Sequence, residues 1–414
     1  MKILMISSIF PYPPSIGETQ RRTFNILKYI HQNHEVHLVT QRGDDISEAQ
    51  VEQLKQWTQQ LTIFPRVKQS KVKEGILDKA KQLGTFIQQG TPPQVLSTYS
   101  PAMQEWIDEA VKGDRFDVIT CEDSANEIYI RPQWREKVRT VVNIHSSVYR
   151  TCQNYIETKI SESGLSDRFN LPLLRRYEQQ YCSKFSAIVT SSTEDRKQIE
   201  KLSPDAKIIA IPNGVDLSLF PLRASNRGGQ RLVFIGEMDK APNIDAARFL
   251  CLEVFPEIKK RYPEAKLELI GSHPTPQVLE LGELPNISVS DRITSLVDIL
   301  HWATACVMPH RKGLGEKDSV LRVMAAGVPI VASDRALANL QVDGAGVPLR
   351  AMRANEIDEY VYAVGRLFEE PKLREKLSEN GRSLVEKEYS WEKIGKRYEQ
   401  VLLNKPTNPI TGKQ

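Results

Sequence analysis

The sequence predicts an α/β protein of two tandem domains, each a parallel sheet covered by helices. Short β-rich apolar runs alternate with helical patterns, and this alternation breaks and restarts near the middle of the chain. At 414 residues, the chain is also too long for one domain of roughly 100 to 200 residues. The first run is Ile3 to Ile6, followed by a loop holding Pro11, Pro13, Pro14 and Gly17. In the helix after it, Phe24, Ile26, Leu27 and Ile30 fall on one side and Arg21, Arg22, Asn25 and Lys28 on the other, at about 100° per residue. A second run, Val36 to Thr40, completes a βαβ unit. Runs at Phe116 to Cys121, Thr140 to Ile144, Ala187 to Thr190 and Lys207 to Ile211 continue the pattern of a parallel sheet covered on both faces.

After Pro212-Asn213-Gly214 comes a polar stretch, Arg223 to Gln230. New runs follow at Leu232 to Ile235, Lys266 to Ile270, Ile287 to Val289, Ala305 to Met308 and Pro329 to Ala332, with helical segments such as Asn243 to Arg261 between them. The expected domains are therefore 1–215, completed by a C-terminal helix 391–414, and 216–390. Two such domains are expected to leave a cleft faced by the carboxyl ends of both sheets, and chemistry is expected there.

The 56 basic residues exceed the 52 acidic ones by four, too small an excess for a dedicated nucleic-acid binder. Five cysteines, with no CxxC pair or zinc-ligand spacing, read as reduced thiols in a cytoplasmic protein. The prolines at 11, 13 and 14 cut short any signal-peptide core, and no apolar stretch approaches the roughly 18 residues of a membrane span.

Gly313 to Ser319 reads GLGEKDS, with Asp318 where a dinucleotide fingerprint needs its third glycine, and no GxxxxGK[ST] pattern occurs. A nicotinamide dehydrogenase and a P-loop NTPase are thus disfavoured. The loop reads either as an ordinary strand-to-helix turn or as a phosphate seat, with free N–H groups at a helix start and Arg311 nearby. No D-x-D motif offers a metal for a diphosphate, and no cofactor is expected. Glu122 and Asp123 read as surface carboxylates at a strand end.

Four segments carry a resemblance: PNGVD (Pro212 to Asp216), FIGEMDKAPNIDAARFLCLEVFP (Phe234 to Pro256), MPHRKGLGEKDSVLRVMAAGVPIVAS (Met308 to Ser333) and YSWEKIGKRYEQVL (Tyr389 to Leu402). In this order they resemble the retaining glycosyltransferases of family 4, most closely the bacterial exopolysaccharide-type sugar transferases. The resemblance implies the GT-B fold, two Rossmann-like domains, with a nucleotide-sugar donor held by the C-terminal domain and a hydroxyl acceptor held by the N-terminal one.

Carried over residue by residue, the resemblance implies that Gly17 lets the backbone approach the donor, where a Cβ would obstruct it. By itself, a glycine in a proline-rich loop is also just a turn. His145 stands where the family has a histidine facing the transferred sugar, at a strand end from which an imidazole can bond a hydroxyl or stabilise charge. The bland alternative is a structural histidine, and the other six histidines lack this placement. Gly236 ends the first strand of the second domain, and Lys240 is the one cation of the loop after it. Arg311 matches a phosphate-contacting arginine, and Gly315 belongs to the glycine-bearing loop. Asp216 reads as a cap or hinge.

Two positions depart from the family pattern. Ser319 replaces a common lysine, and Arg322 replaces the glutamate that binds the nucleotide ribose. A guanidinium only donates hydrogen bonds and cannot do a carboxylate's work there. Either Arg322 has become a phosphate ligand or the protein is a glycosyltransferase-like binding or regulatory subunit without turnover. The stretch from Arg66 to Ile87, basic with apolar residues at helical spacing, reads either as a solvated helix face or as a peripheral membrane contact.

Overall fold

The computed structural model describes residues 1–15, 17–67, 84–113, 115–158, 164–225, 227–291, 295–313 and 317–404. The chain divides into two compact units. The first comprises Met1–Ile156, Ser161–Asn213 and Trp391–Asn408; the second is built on Gly214–Ser390.

The first unit holds a seven-stranded, all-parallel sheet in the order β3-β2-β1-β4-β5-β6-β7. The strands are β1 (Lys2–Ser7), β2 (Glu35–Arg42), β3 (Gln60–Pro65), β4 (Val118–Glu122), β5 (Arg139–Ile144), β6 (Ala187–Thr190) and β7 (Ile208–Ala210). Alternation along β1 sends Leu4 and Ile6 into one core, with Ile119, Val142 and Ile188, and Ile3 and Met5 into the other, with Ile26, Leu27 and Ile30. Each face of the sheet is thus covered, as parallel strands require.

The helix Trp391–Leu402 returns to this unit and buries Ile394, Tyr398, Val401 and Leu402 in the core beneath the helix Glu18–Ile30. Contact is so close that a Cβ on Gly395 would lie 2.2 Å from the Tyr29 ring. Arg139 Nε donates to the Val401 carbonyl (3.0 Å), and His34 Nε2 meets Glu399 Oε1 (2.9 Å).

The second unit repeats the plan with six parallel strands in the order β10-β9-β8-β11-β12-β13. These are β8 (Arg231–Ile235), β9 (Lys266–Ile270), β10 (Ile287–Ser290), β11 (Ala305–Met308), β12 (Ile330–Ala332) and β13 (Met352–Arg353). The single helix expected over Asn243 to Arg261 is a helix Ala241–Phe249, a π-helical turn Leu250–Val254 and a helix Phe255–Arg261. Pro256 falls at the start of the last piece, where its missing N–H does least harm.

In each sheet the chain builds outward in one direction and then reverses, between β1 and β4 in the first and between β8 and β11 in the second. A reversal of strand order opens a crevice at the carboxyl ends of the two central strands, the usual seat of ligands in such folds.

Candidate functional site

In the first unit, Gly17 caps the helix Glu18–Ile30 with extended backbone, φ −166°. An added Cβ would meet only the movable Gln20 amide, so packing does not demand glycine there. His145 follows β5 directly and is buried. Its Nδ1 lies 3.4 Å from Thr19 Oγ1 and 3.8 Å from Asp123 Oδ2, while Nε2 has no partner among the described residues. Burial, reinforced by the positive charge of Arg22, holds its pKa well below the usual histidine range, so the ring is a neutral imidazole at neutral pH. Asp123 adopts φ +83°, a strained backbone for a residue with a Cβ, and accepts a bond from the Ala125 N–H (2.9 Å).

The surface placement expected for Glu122 is incorrect. It is the last residue of β4 and fully buried, and it accepts bonds from Asn143 Nδ2 (2.7 Å), Tyr398 Oη (2.8 Å) and Thr120 Oγ1 (2.8 Å). The Asn143 carbonyl oxygen in turn accepts from Arg22 Nε (3.0 Å) and Nη2 (2.9 Å), and Arg22 also donates to Asn213 Oδ1 (2.7 Å) and the Ile211 carbonyl (2.8 Å). A buried arginine and a buried carboxylate therefore share one asparagine beneath the His145 loop. Asn213, of the PNGVD segment, also donates to Glu18 Oε1 at 2.8 Å.

The loop after His145 is fastened by carboxylates. Ser147 caps the helix Val148–Glu157 by accepting the Arg150 N–H (3.0 Å), and its hydroxyl donates to Glu178 Oε2 (2.8 Å). Burial, with Asp195 adding repulsion, pushes Glu178 up to about 7 despite its hydrogen bonds.

In the second unit, Gly236 extends β8, donating its N–H to the Ile270 carbonyl at 3.0 Å. Its Cβ would sit 2.9 Å from Asn243 Nδ2, and a Cβ on Gly271 would sit 1.7 Å from the Gly236 carbonyl oxygen, so close packing alone accounts for both glycines. Lys240 is exposed at the start of the helix Ala241–Phe249, with Glu237 and Asp239 at 3.8 and 3.7 Å.

Arg311 lies beyond β11, with its guanidinium 4.1 Å from the Phe249 ring centre and both Nε and Nη2 at 3.3 Å from Asp245. Lys312 also reaches Asp245, at 2.8 Å. Burial opposes ionisation of Asp245, but the bonds from Lys312 and Arg311 outweigh it and hold the carboxyl below its ordinary range.

Ser319 and Arg322 are half-buried, three residues apart on the helix Lys317–Ala325 and hence on one face. No hydrogen bond or ion pair of the Arg322 side chain is found among the described residues. Gly315 lies outside those residues, as does most of the basic stretch from Arg66 to Ile87. Gly17 and His145 belong to the first unit, and the other candidates to the second.

His310 corrects the expectation that no histidine but His145 follows an apolar strand. It lies just past β11, fully buried, with Nε2 2.9 Å from Asn243 Oδ1 and its carbonyl accepting from Ser333 Oγ (2.7 Å). Burial lowers its pKa to about 4. The signal is the run ACVMPH, in which His310 follows the strand after one proline. Asp216 closes a turn rather than capping a helix: its Oδ1 accepts from the Ser218 N–H (3.0 Å) and hydroxyl (2.6 Å).

Comparison with known proteins decides the family. Residues 19–219 match the description Glycosyltransferase Family 4, and residues 229–370 match Glycosyl transferases group 1. The chain belongs to the GT-B glycosyltransferases. Its structure is similar to sucrose-phosphate synthase from Thermosynechococcus elongatus, with TM-score 0.66, 16% identity, and coverage of 97% of this chain and 98% of that one. For Anabaena HepE in complex with UDP and glucose the values are 0.60, 13%, 97% and 99%. At these identities the likeness speaks for the fold. A curated relative, the GDP-mannose-dependent monoacylated alpha-(1-6)-phosphatidylinositol monomannoside mannosyltransferase of Corynebacterium glutamicum, is 25% identical over 217 residues, 47% of this chain and 56% of that protein. The match thus spans about half the length of that relative.

In this GT-B chain, the buried Glu178 makes stability depend on pH. Its native value of about 7 lies above the roughly 4.3 of an unfolded glutamate. Between those values the unfolded state releases a proton that the native state keeps, so stability falls as pH rises, by about 2 to 3 kcal/mol from pH 5 to 8. Urea unfolding of Glu178→Gln should lack that component of the slope; equal slopes for variant and wild type would contradict the assignment.

Proposed function

We propose that the protein transfers a sugar from a nucleoside-diphosphate sugar to a hydroxyl acceptor, with retention at the anomeric carbon, without a metal ion, in the manner of the exopolysaccharide-type transferases. The observation that carries this reading is His145: a buried, neutral imidazole with an unpartnered Nε2, at the strand end beside the first unit's switch point. An unpaired buried ring nitrogen is costly unless a ligand hydroxyl meets it, and a transferred sugar supplies one. The relative's GDP-mannose and the UDP of the HepE complex share the diphosphate chemistry assigned here to the donor.

In this reading the first unit, with Gly17 and His145, receives the acceptor and faces the sugar, and the second binds the donor. The acceptor oxygen attacks the anomeric carbon on the face that the diphosphate leaves; the carbon–oxygen bond to phosphate breaks, and the acceptor proton passes to the departing phosphate oxygen. No separate protein base is then needed. What the protein supplies is charge for the departing diphosphate. Arg322 is assigned this role because its fork has no partner among the described residues, and Ser319, Lys240, Gly236 and Gly315 are assigned to the same donor site from the family resemblance. Arg311 joins by exchanging Asp245 for phosphate. The five free cysteines suit a reducing, cytoplasmic setting.

The test is a transfer assay in EDTA, with the product anomer read by NMR. Retention with full rate in EDTA is expected; an inverted product or strict Mn²⁺ dependence would overturn the mechanism. A charge-assisted bond contributes about 1.5 to 3 kcal/mol, so Arg322→Ala should weaken donor binding about tenfold or more. Unchanged affinity would remove Arg322 from the site.

A further inference from the structure

The neutral ring of His145 carries one proton, for which its two nitrogens compete. Their surroundings differ. Nδ1 faces Thr19 Oγ1 at 3.4 Å and Asp123 Oδ2 at 3.8 Å, whereas Nε2 meets no partner among the described residues. A proton on Nε2 would be a buried donor without an acceptor, a rare and costly state. A proton on Nδ1 faces two oxygens, and only the Nε2 lone pair then waits for a partner.

Asp123 is held facing that ring. It follows β4 with φ +83° and ψ 144°, a backbone conformation that residues other than glycine rarely adopt. Its N–H donates to the Asn143 carbonyl (3.0 Å), its carbonyl accepts from the Asn126 N–H (3.1 Å), and its Oδ1 accepts from the Ala125 N–H (2.9 Å). Because Asn143 lies two residues before His145, the first of these bonds also keeps the two side chains together. Bonding Ala125 accounts for Oδ1 but not for Oδ2, which has no hydrogen bond and no paired lysine or arginine among the described residues. A glycine would take this backbone without strain, so the free carboxylate oxygen is what the aspartate adds.

We propose that Asp123 is a positioning residue that fixes His145 as the Nδ1–H tautomer and leaves the Nε2 lone pair as an acceptor. The Thr19 hydroxyl can accept or donate and therefore selects neither form, whereas an ionised carboxylate only accepts. The tautomer follows from the residues just named; its use in catalysis rests on the transfer reading above. In that reading Nε2 takes a hydrogen bond from a free hydroxyl of the transferred sugar, and an ether, a fluorine or an ionised phosphate oxygen at that position has no hydrogen to give. Accepting that bond puts electron density on the sugar as its anomeric carbon becomes positive.

Long-range proton–nitrogen correlation spectra of the histidine-labelled full chain read the tautomer directly, and the signal missing from His145→Ala assigns it. Burial raises the Asp123 carboxyl above its ordinary value, against the Ala125 N–H, so mildly alkaline buffer keeps it ionised. The wild type is expected to carry the proton on Nδ1. Asp123→Asn keeps an oxygen for the Ala125 N–H and puts an amide donor where Oδ2 stood, so the proton should move to Nε2; Thr19→Val should leave it on Nδ1. With the tautomer reversed, kcat should fall at least about tenfold, with the KM for the donor little changed. A wild-type proton on Nε2, a result that needs no variant to fold, overturns the proposal, as does a proton that Asp123→Asn leaves on Nδ1. The expected spectra from a protein without turnover would support the tautomer and contradict the transferase reading.

Discussion

Glu122→Ala is expected to destabilise the first unit by on the order of 3 to 5 kcal/mol, a large part of the roughly 5 to 15 kcal/mol that holds a typical domain. The substitution strips the acceptor from three buried donors, Asn143 Nδ2, Tyr398 Oη and Thr120 Oγ1. It also removes the carboxylate whose charge faces buried Arg22 through Asn143. Thr120 Oγ1 and Tyr398 Oη, 2.5 Å apart, can still bond each other, but each donor left without an acceptor costs about 1 to 3 kcal/mol. Tyr398→Phe, which deletes a donor and keeps the packing, should cost only about 1 kcal/mol. Thermal unfolding of both variants checks the difference. A Glu122→Ala protein as stable as wild type would mean that the network is not closed in solution.

His145→Ala is expected to lower kcat by about 10²- to 10³-fold, the range seen when one aligned donor or stabiliser is lost from a transition state. In the proposed role, the neutral ring, set by burial and Arg22, would bond a sugar hydroxyl best when positive charge develops on the sugar. The loss should therefore fall on kcat more than on KM for the donor. Because Ser191 holds the His145 backbone carbonyl (2.5 Å) and Glu178 and Asp195 hold Ser147, the loop should keep its path without the ring. Circular dichroism and steady-state kinetics together test this; a kcat within threefold of wild type would contradict the role.

Most of both sheets was legible because buried parallel strands are short, β-branched and apolar on both faces: Ile3 to Ile6, Thr140 to Ile144 and Ala305 to Met308 could be read directly. β3 escaped because it is an edge strand, QLTIFP, half-covered and diluted by polar residues, and β13 because it is two residues long. The position of His145 at a strand end was readable, since it needs only the strand before it. The burial of Glu122 was not, because it depends on Tyr398, 276 residues away, brought back by the final helix. The sequence shows Arg311 as a match to a phosphate-contacting arginine beside a glycine-bearing loop; its engagement by Asp245 and Phe249 depends on the helix Ala241–Phe249, 62 or more residues earlier in the chain, and is not legible there.

The central claim is that this chain binds a nucleoside-diphosphate sugar without a metal. The direct measurement is thermal unfolding in EDTA against uridine, guanosine and adenosine diphosphate sugars. A ligand present at about 100 times its Kd should stabilise the protein by about 2.7 kcal/mol. The account predicts a saturable rise in Tm with at least one of them, reduced in Arg322→Ala; no rise with any of them in EDTA, whether or not one appears with added Mn²⁺, would contradict it.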